Sequence, residues 1–159
     1  MKMSMKGVKL LAQWEGFKKL KYKDSDGEWT IGVGHLITPD ELKRGSINVA
    51  GNPVSINKPW TDENVRALLS QDLIRFEKDV ISTIKVPLKQ NQFDALVSFA
   101  FNIGTGAFNS EIGVAKSLNA GMHNDVPRQL RKWNKSGGKV VDGLVSRREK
   151  EIKLWNGEV

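Results

Sequence analysis

The stretch from Gln92 to Gly104, QFDALVSFAFNIG, limits the possible folds more than any other part of the chain. Phe93, Ala95, Leu96, Val97, Phe99, Ala100 and Phe101 leave no wide polar face to meet water. A helix apolar on nearly every side is stable when other helices wrap it. The neighbouring sequence supplies them. Thr61 caps a long helix with an apolar stripe of Val65, Leu68, Leu69, Leu73, Phe76 and Val80. Another helix ends at Asn119-Ala120-Gly121, and one begins at Asp125 and Pro127 and runs through Trp133. Asp142 caps the last, which runs through Trp155 with Gly157 beyond.

The N-terminal part reads differently. Met5, Val8, Leu11 and Ala12 fall at helical spacing, predicting an amphipathic helix near residues 4–14 that stops at Gly16. Tyr22, Trp29, Ile31 and Val33 are strand formers on either side of the turn signal DSDG. They predict an antiparallel hairpin, Lys21–Lys23 against Trp29–Val33, with a third short strand after His35. Thr38-Pro39-Asp40-Glu41 is a capping signature and predicts a short helix. Residues 44–60 have loop composition, with room for short extended pieces. The expected class is α+β within one domain, 1–159. A small β-containing lobe covers about 17–60, and a helical lobe covers 1–16 and 61–159. A ligand cleft is expected between the lobes.

Composition narrows the chemistry. The net charge of +7, from 25 basic and 18 acidic residues, suits polyanions: nucleic acid, anionic membrane or an acidic wall polymer. It equally suits a generic basic surface. With no cysteine, disulfides, thiolate nucleophiles and Cys-containing zinc sites are excluded. His35 and His123 are the only histidines, and no H-E-x-x-H, G-x-S-x-G or P-loop motif occurs. No metal and no cofactor is expected. The opening residues, MKMSMKGVKLLAQWEGF, hold no signal-peptide core and no membrane span. The chain is therefore expected in the cytoplasm as synthesised, as a monomer, without stable membrane insertion.

The segment Trp14–His35, WEGFKKLKYKDSDGEWTIGVGH, carries Glu15, Asp24, Asp26 and Glu28. Hydrolysis of a glycosidic bond needs one carboxyl group protonated and one ionised. Glu15 suits the first role, because carbonyl dipoles at a helix C-terminus disfavour negative charge. Flanking Trp14 and Phe17 would add desolvation, which also favours the neutral acid. Asp24 suits the second role, since water and backbone amides in a polar turn keep it ionised. Spacing alone favours ordinary turn formation for all four acids, and Asp26 and Glu28 fit that reading best.

The trio Glu15, Asp24 and Thr30, E-x8-D-x5-T followed by TIGVGH, resembles the catalytic signature of phage-type lysozymes. The resemblance continues through TPDE, Asp72 in LLSQDL, QFDALVSFAFNIGTGAF, LNAG and WNKSGGKVVDGLVSRREKEIKLW, nearly the whole chain in family order. It implies a lysozyme-like fold and hydrolysis of the β-1,4 bond between N-acetylmuramic acid and N-acetylglucosamine in bacterial peptidoglycan. It also implies a role in host-cell lysis and phage release. By resemblance Glu15 is the general acid, and Asp24 and Thr30 position and activate the water. Water held opposite Glu15 would invert the anomeric centre, an arrangement with carboxyl groups about 6.5–9.5 Å apart. Arg147 matches an arginine that pairs with the catalytic glutamate; read without the resemblance, it is an exposed helix charge paired with Glu151. His35 and Asp72 match a buried structural ion pair. Leu36 and Phe101 match positions lining the substrate cleft, or else are ordinary core. A Ser-Thr pair common in the family before LNAG is missing, and Ser110-Glu111-Ile112-Gly113 stands there.

Other readings differ at specific points. A nucleic-acid-binding domain would interleave aromatics with Lys and Arg, whereas Phe93, Phe99 and Phe101 lie in an apolar helix. An inactive wall-binding relative would lack part of the trio. A lytic transglycosylase needs essentially one acid and leaves an anhydro product. A zinc amidase needs more histidines. Release to the wall is expected to follow a holin-type membrane lesion.

Overall fold

The computed structural model describes residues 1–159. They form two compact units, Val8–Asp72 and Met1–Gly7 together with Leu73–Val159.

The first unit holds most of helix α1 (Met5–Glu15) and the strands. Val8, Leu11 and Ala12 are buried as their spacing predicts, but Met5 is 56% exposed, and Met3 ahead of the helix is buried instead. Strands β1 (Lys18–Lys23), β2 (Trp29–Gly32) and β3 (His35–Leu36) form one antiparallel sheet in that order. Tyr22 lies opposite Thr30 and Lys23 opposite Trp29, while Thr30 and Ile31 face Leu36 and His35. Helix α2 (Pro39–Arg44) begins with the predicted capping box: Thr38 Oγ1 accepts from the Glu41 amide at 3.1 Å, and Glu41 Oε1 accepts from the Thr38 amide at 2.9 Å. Two otherwise orphaned helix donors are thereby satisfied.

Residues 44–60 are more ordered than their composition suggests. Strands β4 (Ser46–Val49) and β5 (Asn52–Ser55) pair through a two-residue turn in which Ala50 and Gly51 both have positive φ, 51° and 82°. That is a tight hairpin turn normally signalled by Asn-Gly. Here Gln71 substitutes for the missing signal, accepting from the Ala50 amide and donating to the Asn48 carbonyl. Ile47, Val49 and Ile56 are buried, and helix α3 (Asp62–Asp72) packs Val65, Leu68 and Leu69 against this region.

The single long helix expected after Thr61 is two helices. α3 stops at Asp72 and α4 (Ile74–Thr83) starts after Leu73. Leu73 keeps right-handed helical angles, so the apolar stripe runs on without interruption and its periodicity hides the break.

In the second unit, α5 (Gln90–Ile103) is the buried axis, with every residue from Phe93 to Ala100 inside. It packs against α4 and against α8 (Asp142–Trp155), and α7 (Val126–Arg131) packs against α8 and α6 (Gly113–Asn119). Each large apolar side chain buried here contributes about 2 kcal/mol. Phe99 meets the edges of Phe108 and Trp133 at ring separations of 6.1 and 5.5 Å. The N-terminal residues are tied in by buried carboxylates: Glu77 accepts from the Met3 amide at 2.7 Å, and Asp94 from the Ser4 amide at 2.9 Å. A small hairpin absent from the sequence reading, β6 (Lys135–Ser136) with β7 (Lys139–Val140), turns through Gly137 and Gly138. Val141, not Asp142, is the residue flanking the start of α8.

Candidate active site

Glu15 is the last residue of α1, and Gly16, at φ 73°, turns the chain into β1. A residue with a Cβ is strained in that left-handed conformation. Glu15 opens onto a recess of about 340 Å³ that it lines with Gly16, Phe17, Lys18, Tyr22 and Gly32. The side chain is exposed, Trp14 is half-buried and Phe17 is 39% exposed.

Asp24 follows β1 and organises the turn through one oxygen. Its Oδ1 accepts from the amides of Asp26 and Glu28, both at 2.9 Å, and its carbonyl accepts from Gly27. The sequence reading assigned turn formation to Asp26 and Glu28, but they contribute amides and it is the Asp24 carboxylate that holds the turn. Both of these side-chain hydrogen bonds fall on Oδ1, none on Oδ2. Thr30, on β2, is buried and donates its hydroxyl to the Glu28 carbonyl at 3.0 Å, leaving the hydroxyl oxygen as an acceptor.

The register joins these residues. Tyr22, Thr30 and Leu36 are successive neighbours across β1, β2 and β3, so their side chains share one face of the sheet. Tyr22 lines the Glu15 recess, Thr30 belongs to the expected trio, and Leu36 is 54% exposed. Tyr22 was read from sequence as a strand former only. Its position two residues before Asp24, on an alternating strand, was the available signal.

His35 lies between two carboxylates. Its Nδ1 is 2.8 Å from Asp72 Oδ2 and its Nε2 is 3.0 Å from Glu41 Oε1. Burial works to lower its pKa from 6.5, but the hydrogen bonds and charges of Asp72 and Glu41 outweigh burial and raise it. Glu41 is held below its usual value: burial opposes this, but the Thr38 amide and His35 prevail. The resemblance implies Asp72 as the partner; from the sequence Glu41 is visible only as part of the capping signature. The clamp ties β3, α2 and the end of α3 together.

In the second unit, Arg147 is buried, not exposed, and its Nε lies 3.2 Å from Glu151 Oε2. Its guanidinium also donates to Ser98 Oγ at 3.1 Å, and that hydroxyl donates to Glu151 Oε2 at 2.7 Å. Arg148 Nε approaches Glu151 Oε1 at 2.7 Å, a charge contact rather than an aligned hydrogen bond. Burial raises the Glu151 pKa in spite of Arg148 and Arg147. Phe101 is half-buried on α5, with its ring 5.4 Å from Phe76. At the departure from the family pattern, a Cβ on Gly113 would sit 2.1 Å from Gln129 Oε1, so a side chain here would require the Gln129 side chain to move.

The class of molecule is then clear: a lysozyme-like α+β protein with an exposed carboxyl at a helix end beside a small sheet. The phage lysozyme family model matches residues 12–151. The endolysin of Bacillus phage PZA is 37% identical over 158 residues, 98% of this chain; the chain spans 55% of that relative's length. Among solved structures, a P22 lysozyme mutant aligns with a TM-score of 0.81 at 36% identity, covering 98% of this chain and 99% of the other. The muramidase domain of SpmX from Asticaccaulis excentricus aligns with a TM-score of 0.76 at 32% identity, covering 97% of both chains. The chain belongs to the phage lysozyme family.

Proposed function

We propose that the chain is an endolysin-type muramidase, cutting the β-1,4 bond between N-acetylmuramic acid and N-acetylglucosamine in peptidoglycan. The observation that carries this reading is the cross-strand row Tyr22, Thr30 and Leu36, which begins at the recess of Glu15. In this reading Glu15 protonates the leaving oxygen. Asp24 Oδ2, with the acceptor oxygen of Thr30, orients and deprotonates the attacking water. Leu36 and Phe101 contact substrate, and Arg147, gripped by Ser98 and Glu151, orients Glu15. His35 and Asp72 act on stability. The protein works as a monomer, without binding nucleic acid, and reaches the wall after a holin-type lesion opens the membrane. No helix is long and apolar enough to cross a membrane.

Mass spectrometry of muropeptides from purified peptidoglycan tests the reading. Products with reducing N-acetylmuramic acid ends are expected. Anhydro-muropeptides would replace it with a transglycosylase, and release of free stem peptides would replace it with an amidase.

A further inference from the structure

Tyr22 lines the recess that Glu15 opens onto, yet neither protonation of the leaving oxygen nor attack by water makes use of it. It stands at the β1 end of the row Tyr22, Thr30 and Leu36, on the same sheet face as the other two. Its neighbours along β1 point the other way: Lys21 and Lys23 lie over the Trp29 ring, on the opposite face.

A sugar is rich in oxygens that accept hydrogen bonds, and this row has few donors to meet them. Thr30 commits its hydrogen to the Glu28 carbonyl, so towards the recess it can only accept. An ionised Asp24 carboxylate also only accepts, and Leu36 is apolar. The proton of Glu15 goes to the leaving oxygen. Lys18, at the same recess, is an exposed ammonium on a flexible stem, strongly hydrated. The Tyr22 hydroxyl makes no hydrogen bond within the protein. It is the neutral donor that the row has left.

A half-buried tyrosine in a strand also serves packing. The ring alone does that, and phenylalanine would fill the same space. Packing gives no reason for an uncommitted hydroxyl at the recess of the acid.

We propose that Tyr22 is a substrate-binding residue: its hydroxyl donates to an acceptor oxygen of the N-acetylhexosamine held in the Glu15 recess, and its ring walls that sugar on the β1 side. The proposal rests on the muramidase reading. At about 340 Å³ the recess has room for one such sugar. The bond forms in the ground state and the transition state alike, so it acts on KM rather than on kcat.

The test uses soluble, uncross-linked peptidoglycan strands and the substitution Tyr22→Phe, which removes the hydroxyl and keeps the ring. KM is expected to rise roughly fivefold, the worth of one neutral hydrogen bond, with kcat within about twofold and the melting temperature unchanged. Tyr22 is the only tyrosine of the chain, so ring-labelled tyrosine gives a single NMR signal. In Glu15→Gln, which holds strands uncut, saturating strands should shift that signal. Adding Tyr22→Phe to Glu15→Gln should weaken strand binding by the same factor of about five. The proposal is overturned if Tyr22→Phe keeps the wild-type KM, if its loss falls on kcat alone, if strands saturate Glu15→Gln without moving the tyrosine signal, or if the melting temperature falls in step with the rise in KM. Wild type that releases no reducing ends from the strands would overturn the muramidase reading and this role with it. Wild-type release with an unchanged KM in Tyr22→Phe would overturn this role alone.

Discussion

Asp24 and Glu151 are carboxylates in opposite surroundings, one in each compact unit. Asp24 stands at a solvent-facing turn, with one oxygen fixed by two backbone amides and the other open. Glu151 is fully buried, with Ser98 and Arg147 on one oxygen and Arg148 on the other. A carboxylate whose ligands are all protein is committed to holding the fold. One that keeps an oxygen for water is available for chemistry. The contrast assigns roles by the number of uncommitted lone pairs, and burial alone would have ranked the two the other way.

The comparison breaks most visibly at Glu151. Glu151→Ala removes the carboxylate shared by two buried guanidinium groups, and breaking a buried pair in this way costs about 3–5 kcal/mol. The expected readout is a large fall in the urea midpoint; an unchanged midpoint would show that Arg147 and Arg148 do not depend on it. Asp24→Asn sharpens the other side. Asparagine keeps an Oδ1 to accept both turn amides but loses the charge, so turnover should fall about 10²-fold or more with the melting temperature nearly unchanged. Equal losses of stability and turnover would mean that Asp24 serves only the turn.

The His35 clamp lies between these extremes, half-buried and doubly paired. Its pKa is raised in the folded state, so its contribution is full below 6.5 and is lost as pH climbs through the folded value. Glu41 is lowered, so its contribution is present above its ordinary value and lost as pH falls through the folded one. Stability followed against pH should therefore decline on both sides, and His35→Gln should flatten the alkaline side, by about 1–2 kcal/mol. An alkaline limb identical in that variant would assign the decline to other groups. The smallest effect belongs to Asp26→Asn, which alters an exposed side chain whose amide does the work. Turnover should be unchanged and stability within about 0.5 kcal/mol.

The sequence made legible what rests on periodicity and local chemistry. The apolar run around Phe93–Phe101 announced the buried axis, and Thr38 to Glu41 announced its capping box. The hairpin through Ala50-Gly51 escaped because its turn is held by Gln71, a residue distant in sequence. The break after Asp72 escaped because Leu73 stays helical and the stripe continues. Without the resemblance Arg147 reads as an exposed charge paired with Glu151; the pairing is there but the exposure is not, and Arg148, Glu151, Ile152 and Trp155, which follow the spacing of one buried face, were the signal. For the site, physical reasoning supplied the two carboxyl roles and the resemblance selected Glu15, Asp24 and Thr30. The division of labour between the two oxygens of Asp24 needed coordinates, since it depends on where the Asp26 and Glu28 amides point.

In the proposed mechanism exposed Glu15, not any buried acid, delivers the proton. Release of reducing ends from purified peptidoglycan by Glu15→Gln, measured beside its melting temperature, tests it most directly. Turnover is expected to fall by at least about 10²-fold with a melting temperature close to wild type. Turnover near that of wild type from the folded variant would contradict it.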